Sequence, residues 1–436
     1  MENIVLNPRM NDVKCSATLA INEKIHALRR QGKTVVHFGF GESPFDVAKP
    51  IQEALTKASL KTQYLPGEGL QTLRQAISTH YKSHFNYWFD EADVFVTPGS
   101  KEAIFHLLYL IDGPLLLPAP SWVSYEPQAK LLGKDVISLP TRFNDNYCLQ
   151  ASTLEEHCKT LDAHAQKILL LNSPNNPSGM VYSQENLAQL AAVCEANNII
   201  VISDEIYAGV EFSNTAHASM VHAYPHKTIV TSGLSKLFSA GGYRLGFSLI
   251  PNELTSLKNA LKILISETYS CVSTPISYAA LAAYESYSEI LPYLNQCTLR
   301  HQWASEYLAN AFQQMGLRVH QSQGAFYLLP DFSPFKEKLL RQGITDDTQL
   351  SNALLERVHV ATLPGSEFGM DKHALSLRIA TVDYNGTLAL AAKDINAPCF
   401  DSLRLGVSRL KRFIDSLDAS TKQNDSFTTS TLTDVV

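Results

Sequence analysis

Two patterns of apolar residues alternate through the middle of the chain, and this alternation restricts the fold more than any other feature. Residues 167–171 (KILLL), 199–203 (IIVIS) and 228–232 (TIVTS) are short apolar runs bounded by polar residues, which is typical of strands buried in a parallel sheet. Between the first two runs, apolar residues after a possible N-cap at Ser183 follow the spacing of one helical face: Leu187, Leu190, Ala191 and Cys194. This order predicts an α/β fold with helices on both sides of a mostly parallel sheet.

The C-terminal part has a different pattern. A long helical stretch near residues 298–315 is followed by the short strand-like segments GAFYLLPDF and SLRIATVDY. We therefore predict a large domain over residues 46–290 and a smaller α+β domain made of residues 1–45 and 291–418. Residues 419–436 are polar and poor in aromatic side chains, which predicts a disordered tail.

Charge and cysteine content exclude several classes of protein. The net charge is −6 and the isoelectric point is about 6.2, whereas nucleic-acid-binding proteins are usually basic. The seven cysteines show no C-x-x-C spacing, so we expect neither a disulfide framework nor a metal site. No signal-peptide pattern and no apolar run of membrane-spanning length are present. We expect a soluble, cytoplasmic protein that binds neither nucleic acid nor a membrane.

A lysine in a loop of small residues is the first candidate for chemistry. Lys236 lies in the segment SGLSKLFSAGGYRLG, just after a predicted strand and eight positions before Arg244. Small neighbours allow a flat ring to approach the amine, which can form a Schiff base with a carbonyl compound. The spacing alone is equally compatible with a surface lysine in a Gly/Ser-rich loop.

Polar residues follow two of the predicted strands. Asp204 ends the strand at 199–203, and Tyr207 comes three residues later. Asn176 lies in the Pro/Gly-rich turn NSPNNPSG after the strand at 167–171. Since ligands of open α/β sheets bind beyond the carboxyl ends of strands, these side chains are candidate ligand contacts. A helix N-cap at Asp204 and a plain turn at Asn176 are the alternatives.

Two further segments have features of a cofactor site. TPGSKEA, with Gly99, Ser100 and Lys101, opens a predicted helix whose free N–H groups favour a phosphate. Trp122, in PAPSWVSY, has a face large enough to stack on an aromatic ring. An ordinary helix cap and simple core packing are the respective alternatives.

These motifs, in this order, resemble the class I aminotransferases of the aspartate aminotransferase fold type, from Ser16 to Arg378. The resemblance implies fold type I of the pyridoxal-phosphate (PLP)-dependent transferases and a PLP Schiff base on Lys236. It also implies the other cofactor contacts: Asp204 to the pyridine nitrogen, Tyr207 and Asn176 to the phenolic oxygen, Gly99, Ser100, Lys101 and Arg244 around the phosphate, and Trp122 stacked on the ring. Lys236, Asp204 and Tyr207 would be the catalytic residues.

The resemblance also implies substrate contacts and a homodimer. Arg378 would bind the substrate α-carboxylate, and Gly41, Trp122 and Asn176 would border the substrate. Tyr64 would reach the phosphate of the other subunit, so that the two subunits share their active sites. One departure concerns Gly233, where many relatives have a serine that contacts the phosphate. The resemblance therefore leaves open what replaces that contact.

The expected reaction moves an amino group between an amino acid and a 2-oxo acid. Aspartate and glutamate are the expected substrates, because a branch of similar aspartate aminotransferases uses residues matching Lys101, Ser16 and Thr18 for the second carboxylate. A PLP-dependent C–S lyase and an aminotransferase for aromatic or other neutral amino acids are the alternatives, since one fold serves several chemistries.

Overall fold

The protein is described by a computed structural model covering residues 4–13, 17–213 and 215–419. Ser16, the side chain of Thr18 and residues 420–436 of the predicted tail lie outside the described residues. Ala419, where we placed the start of that tail, is the last residue of a helix. No helix in the described ranges combines the length and apolar character needed to cross a bilayer.

The described ranges contain fourteen helices and twelve strands. The helices are α1 (Ala17–Arg30), α2 (Lys49–Ala58), α3 (Gln71–Phe85), α4 (Ser100–Leu110), α5 (Tyr125–Leu131), α6 (Ala151–Cys158), α7 (Gln184–Ala196), α8 (Thr255–Glu267), α9 (Thr274–Glu285), α10 (Tyr287–Gln314), α11 (Lys336–Arg341), α12 (Asp347–Val358), α13 (Gly386–Leu390) and α14 (Asp401–Ala419). The strands are β1 (Val36–His37), β2 (Val94–Thr97), β3 (Leu115–Ala119), β4 (Val136–Pro140), β5 (Lys167–Asn172), β6 (Ile199–Asp204), β7 (Thr228–Gly233), β8 (Gly246–Leu249), β9 (Tyr327–Leu328), β10 (Val360–Ala361), β11 (Leu363–Pro364) and β12 (Leu377–Ala380).

Seven strands form the central sheet, in the order β2-β8-β7-β6-β5-β3-β4. Strand β8 is antiparallel to both of its neighbours, and the other pairs are parallel. In the register, Asn172 pairs with Asp204, and Asp204 pairs with Thr231. The carboxyl ends of β5, β6 and β7 therefore meet at one edge, as the sequence predicted.

The three strands predicted from apolar runs, β5, β6 and β7, are buried along their whole length. In β5, Ile168 and Leu170 pack into one core cluster, whereas Leu169 and Leu171 pack into another on the opposite side. Helix α7 covers this second side with the apolar face predicted from its spacing. Its N-cap is also confirmed, because the Ser183 hydroxyl accepts a hydrogen bond from the backbone N–H of Asn186.

The C-terminal part forms a separate apolar cluster around small sheets. Strands β11, β12 and β9 form an antiparallel sheet, and β1 pairs in parallel with β10. Helices α10, α12 and α14 contribute buried side chains to the same cluster. Helix α10 begins at Tyr287, eleven residues before the helical stretch that the sequence indicated. The proposed domain boundary at 290/291 consequently falls inside this helix.

Candidate functional site

A cavity of about 420 Å³ opens at the carboxyl edge of the central sheet. It is bordered by the large sheet, the segment after β1 and the strands β9 and β12. The predicted site residues that line it are Gly41, Ser100, Lys101, Trp122, Asn176, Asp204, Tyr207, Lys236, Arg244 and Arg378. Residues separated by more than 300 positions in the sequence are thus brought to one cavity.

Lys236 lies in the loop that follows β7 and is half-buried. Its amine donates a hydrogen bond of 2.8 Å to the carbonyl oxygen of Gly41. The same amine lies 5.6 Å from the ring centre of Tyr207 and 5.4 Å from that of Phe326. A carbonyl oxygen is a replaceable partner, so this amine is available for reaction in the cavity.

Asp204 is the last residue of β6 and is only 2% exposed. Its carboxylate accepts hydrogen bonds from the Tyr125 hydroxyl at 2.5 Å and from the backbone N–H of Ile206 and the Thr231 hydroxyl, each at 3.3 Å. Burial raises the pKa of Asp204 from 3.8 to about 6, and the bond from Tyr125 opposes this rise. A buried carboxylate that is costly to ionise alone is a suitable partner for a cationic ring nitrogen.

Arg378 is a buried guanidinium without a carboxylate partner among the described residues. It donates to the carbonyl oxygen of Gly39 at 2.6 Å and to Asn176 Oδ1 at 3.2 Å, while its Nε has no described hydrogen-bond partner. Burial lowers the pKa of Arg378. Because buried donors are rarely left unpaired and the guanidinium fork matches a carboxylate, this arrangement is suited to binding an incoming carboxylate.

An anion site lies at the start of α4. Gly99 precedes this helix with a φ of 94°, a conformation that residues with a side chain rarely adopt, and it lies against the Arg244 guanidinium. Desolvation and the charge of Arg244 both lower the pKa of Lys101. Two neighbouring cations beside free helical N–H groups favour a phosphate.

The face of Trp122 borders the same end of the cavity. The Lys101 amine lies 4.9 Å from the centre of the indole ring, and Tyr125 meets Trp122 edge-on at a centroid distance of 5.2 Å. These contacts hold the indole between a cation and the residue that supports Asp204. They leave it positioned to contact a flat ligand.

The departure at Gly233 has a steric reason. Gly233 pairs with Gly246 across β7 and β8, and a Cβ on Gly233 would lie 2.7 Å from both Gly246 Cα and the carbonyl oxygen of Leu245. A serine therefore does not fit there without moving the backbone. Of the two flanking serines, Ser235 lines the cavity, whereas Ser232 is buried and donates to the carbonyl oxygen of Glu205.

Besides Gly99, which immediately precedes the lining residue Ser100, three predicted residues are not placed at the cavity by the described chain. Tyr64 is 91% exposed and does not line the cavity of its own chain. Ser16 and the side chain of Thr18 are outside the described residues. The roles assigned to these three positions therefore stay predictions.

Sequence reasoning missed two tyrosines. Tyr125 binds Asp204, and its signal was its position three residues after Trp122 at the start of a short helix. Tyr327, in the segment GAFYLLPDF, lines the cavity and places its hydroxyl 2.8 Å from that of Tyr207. Neither contact is visible in local spacing, because each joins residues at least 79 positions apart.

Comparison with known proteins agrees with this geometry. The model of the family "aminotransferase class I and II" matches residues 33–391. The chain belongs to this family. It is an aminotransferase, which moves an amino group between an amino acid and a 2-oxo acid.

Relatives of this aminotransferase include aspartate aminotransferases. The chain is 31% identical to "Aspartate aminotransferase" of Bacillus sp. strain YM-2, over 85% of its own length and 93% of the relative's. It is 32% identical to "Probable aspartate/prephenate aminotransferase" of Aquifex aeolicus, over 84% and 91% of the two chains. The solved aspartate aminotransferase from Thermus thermophilus with maleate matches with a TM-score of 0.82 and 26% identity, covering 94% of this chain and 99% of that one. Together with the mostly parallel sheet, this likeness confirms fold type I.

Proposed function

We propose that this aminotransferase uses PLP held by Lys236 and that aspartate, glutamate and their 2-oxo acids are its substrates. The observation that supports the cofactor is a set of charged groups around one cavity that form no ion pair with any described residue. A buried carboxylate, Asp204, lies at the sheet edge, and the cations Lys101 and Arg244 lie at the helix start. A ring with a protonatable nitrogen and a phosphate group satisfies both.

The residues fit that group, so each can be given a task. PLP, when bound, supplies an aldehyde for covalent attachment of amines and an electron-withdrawing ring. Asp204 would pair with the ring nitrogen and favour its protonated form, and Tyr207 would donate to the phenolic oxygen. The Lys236 amine leaves the carbonyl oxygen of Gly41 and carries a proton to or from the substrate Cα. Trp122, which lines the cavity, would stack on the ring.

The residue that would hold the substrate is Arg378 on β12. Arg378 would bind the substrate α-carboxylate, exchanging bonds to Gly39 and Asn176 for a charged partner. This orients the bond to be broken at Cα relative to the ring. Asn176, which bonds Arg378 through its side chain, borders the substrate and cofactor together.

Acidic substrates are supported by the charge at the cavity mouth and by the relatives. Lys101 is exposed at the start of α4, where its side chain can reach a second carboxylate. We propose that Ser16 and Thr18 assist it. Two relatives are named for aspartate, and the Thermus thermophilus structure carries a dicarboxylate, maleate.

Neutral amino acids are the second candidate. Lys101 lies close enough to Arg244 for the latter's charge to lower its pKa, which places it within reach of a phosphate as well. If Lys101 serves the cofactor, the apolar lining of Phe40 and Val123 favours a neutral side chain.

Assembly and location are also proposals. We propose a homodimer with shared active sites, supported by the exposure of the Tyr64 ring outside its own cavity. A cytoplasmic location stays a prediction from the sequence.

The experiment that tests the cofactor assignment is the Lys236→Ala substitution. We expect purified protein to show a visible absorption band from the lysine–cofactor adduct and Lys236→Ala to lose both the band and transaminase activity. Lys134→Ala is a matched control, because Lys134 is a half-buried lysine whose amine also donates to backbone carbonyls, away from the cavity. An unchanged reducible adduct in Lys236→Ala would overturn the assignment.

A further inference from the structure

We propose that Tyr327 is a positioning residue that donates its hydroxyl proton to the Tyr207 oxygen and so strengthens the bond from Tyr207 to the cofactor's phenolic oxygen. This inference rests on the proposed PLP function. It adds a residue of the small sheet to the group that controls the protonation of the cofactor.

The geometry of the two tyrosines carries the inference. Their hydroxyl oxygens are 2.8 Å apart, and both side chains are buried, with exposures of 2% and 3%. Their rings meet edge-on at a centroid distance of 5.8 Å. Since each hydroxyl can donate only one proton, Tyr207 can serve the cofactor only if Tyr327 is the donor between them.

The surroundings hold Tyr327 in place. Tyr327 begins β9, which pairs with β12 so that Ala380 lies opposite it. The Arg378 guanidinium lies 4.7 Å from its ring centre. Its hydroxyl occupies the space where Gly41 would carry a Cβ, only 2.0 Å from that position. A glycine at 41 therefore makes room for the Tyr327 hydroxyl beside the carbonyl that holds Lys236.

Burial and the charged groups near the two tyrosines determine whether Tyr207 is protonated. Asp204 at the end of β6, Lys236 after β7 and Arg378 on β12 act on the pair, and Glu42, Lys101 and Arg244 line the same cavity. Burial raises the pKa of Tyr207 well above its ordinary value, the neighbouring Tyr327 adds to that rise, and Arg378 acts against it. Tyr207 therefore stays protonated, and a second phenol donating to its oxygen increases the polarity of its O–H bond.

The size of the expected shift in the pH midpoint of the visible band follows from the cooperativity of hydrogen bonds in a chain. Loss of a charge-assisted bond from Tyr207 to the phenolic oxygen should raise the pH midpoint of the visible band by about one to two units. Neighbouring bonds in a chain strengthen each other by about 10–30%. Loss of the Tyr327 hydroxyl should therefore raise the midpoint by a few tenths of a unit.

The test is a spectroscopic double-mutant cycle on the PLP-loaded enzyme. We expect Tyr327→Phe to raise the pH midpoint of the visible band in the wild-type background. In the Tyr207→Phe background the same substitution should leave the midpoint unchanged, because the bond that it strengthens is already gone. Tyr224→Phe is the control, since Tyr224 is equally buried and its hydroxyl donates to Ile199 O, away from the cavity. Thermal unfolding of each variant establishes that it is folded.

The outcomes separate this inference from the proposed function. Absence of any titrating visible band in the wild-type protein would contradict PLP binding itself. A wild-type band whose midpoint is the same in Tyr327→Phe, or an equal shift in both backgrounds, would overturn the role of Tyr327 and leave the cofactor assignment intact.

Discussion

Lys101 is the residue on which substrate choice depends. It lies at the start of a helix, beside Arg244 and over the face of Trp122. If it binds the second carboxylate, Lys101→Ala should lower kcat/KM for aspartate and glutamate about ten- to a hundredfold, since a charge-assisted hydrogen bond is lost. Activity with alanine or phenylalanine should change little. Steady-state kinetics on both kinds of substrate measure this. Lys130→Ala is the control, because Lys130 is an exposed lysine paired with Glu126. An equal loss on both kinds of substrate would assign Lys101 to the cofactor.

The buried carboxylate of Asp204 serves the proposed function but lowers the stability of the cofactor-free protein when it is ionised. Its native pKa of about 6 exceeds the ordinary 3.8, so the native state binds this proton more tightly than the unfolded chain. Stability of the cofactor-free protein should therefore fall as pH rises from about 4 to 6. At pH 7 the cost is roughly 2–3 kcal/mol.

Asp204→Asn should remove this cost in the cofactor-free protein. We expect a higher Tm than wild type at pH 7.5, a smaller difference at pH 5, and loss of transaminase activity because the ring nitrogen has no anionic partner. Thermal unfolding at both pH values measures this. A variant that is less stable than wild type at pH 7.5 would show that the bonds from Tyr125 and Thr231 outweigh the burial of charge.

At the scale of elements, the paired strands β7 and β8 determine where the anion site lies. Gly233 and Gly246 face each other without side chains, and a Cβ on Gly246 would lie 2.3 Å from the backbone nitrogen of Ser100. This close approach places the start of α4 directly against the sheet. Lys236 then follows the end of β7 by three residues, so backbone contacts fix the backbone of Lys236 relative to the anion site.

At the scale of the whole molecule, the exposed Tyr64 leads to the prediction about assembly. If Tyr64 completes the partner subunit's site, a mixed dimer of Tyr64→Phe and Lys236→Ala chains has one site with both defects and one intact site. Refolding the two variants together should restore up to about a quarter of wild-type activity, the share of intact sites after random pairing. Each variant refolded alone is the control. A monomeric protein with full activity would rule out shared sites.

Part of the order of strands and helices, in the middle of the chain, could be read from the sequence, because buried strands and amphipathic helices leave periodic apolar patterns. The strands β5, β6 and β7 and the capped helix α7 were predicted at the observed positions. The motifs around Lys236, Asp204 and Asn176 were also recognisable. Each lies at or just after the end of a strand, and the edge of a parallel sheet then brings them together.

Only the tertiary structure decided the contacts between distant segments. The bonds from Tyr125 to Asp204 and between Tyr327 and Tyr207 depend on the packing of different elements. The same holds for the placing of Arg378 against Gly39, 339 positions away, and for the lack of space at Gly233. Local sequence patterns record which face of an element is apolar, whereas the hydrogen-bond partner of a buried polar group depends on which elements meet in space.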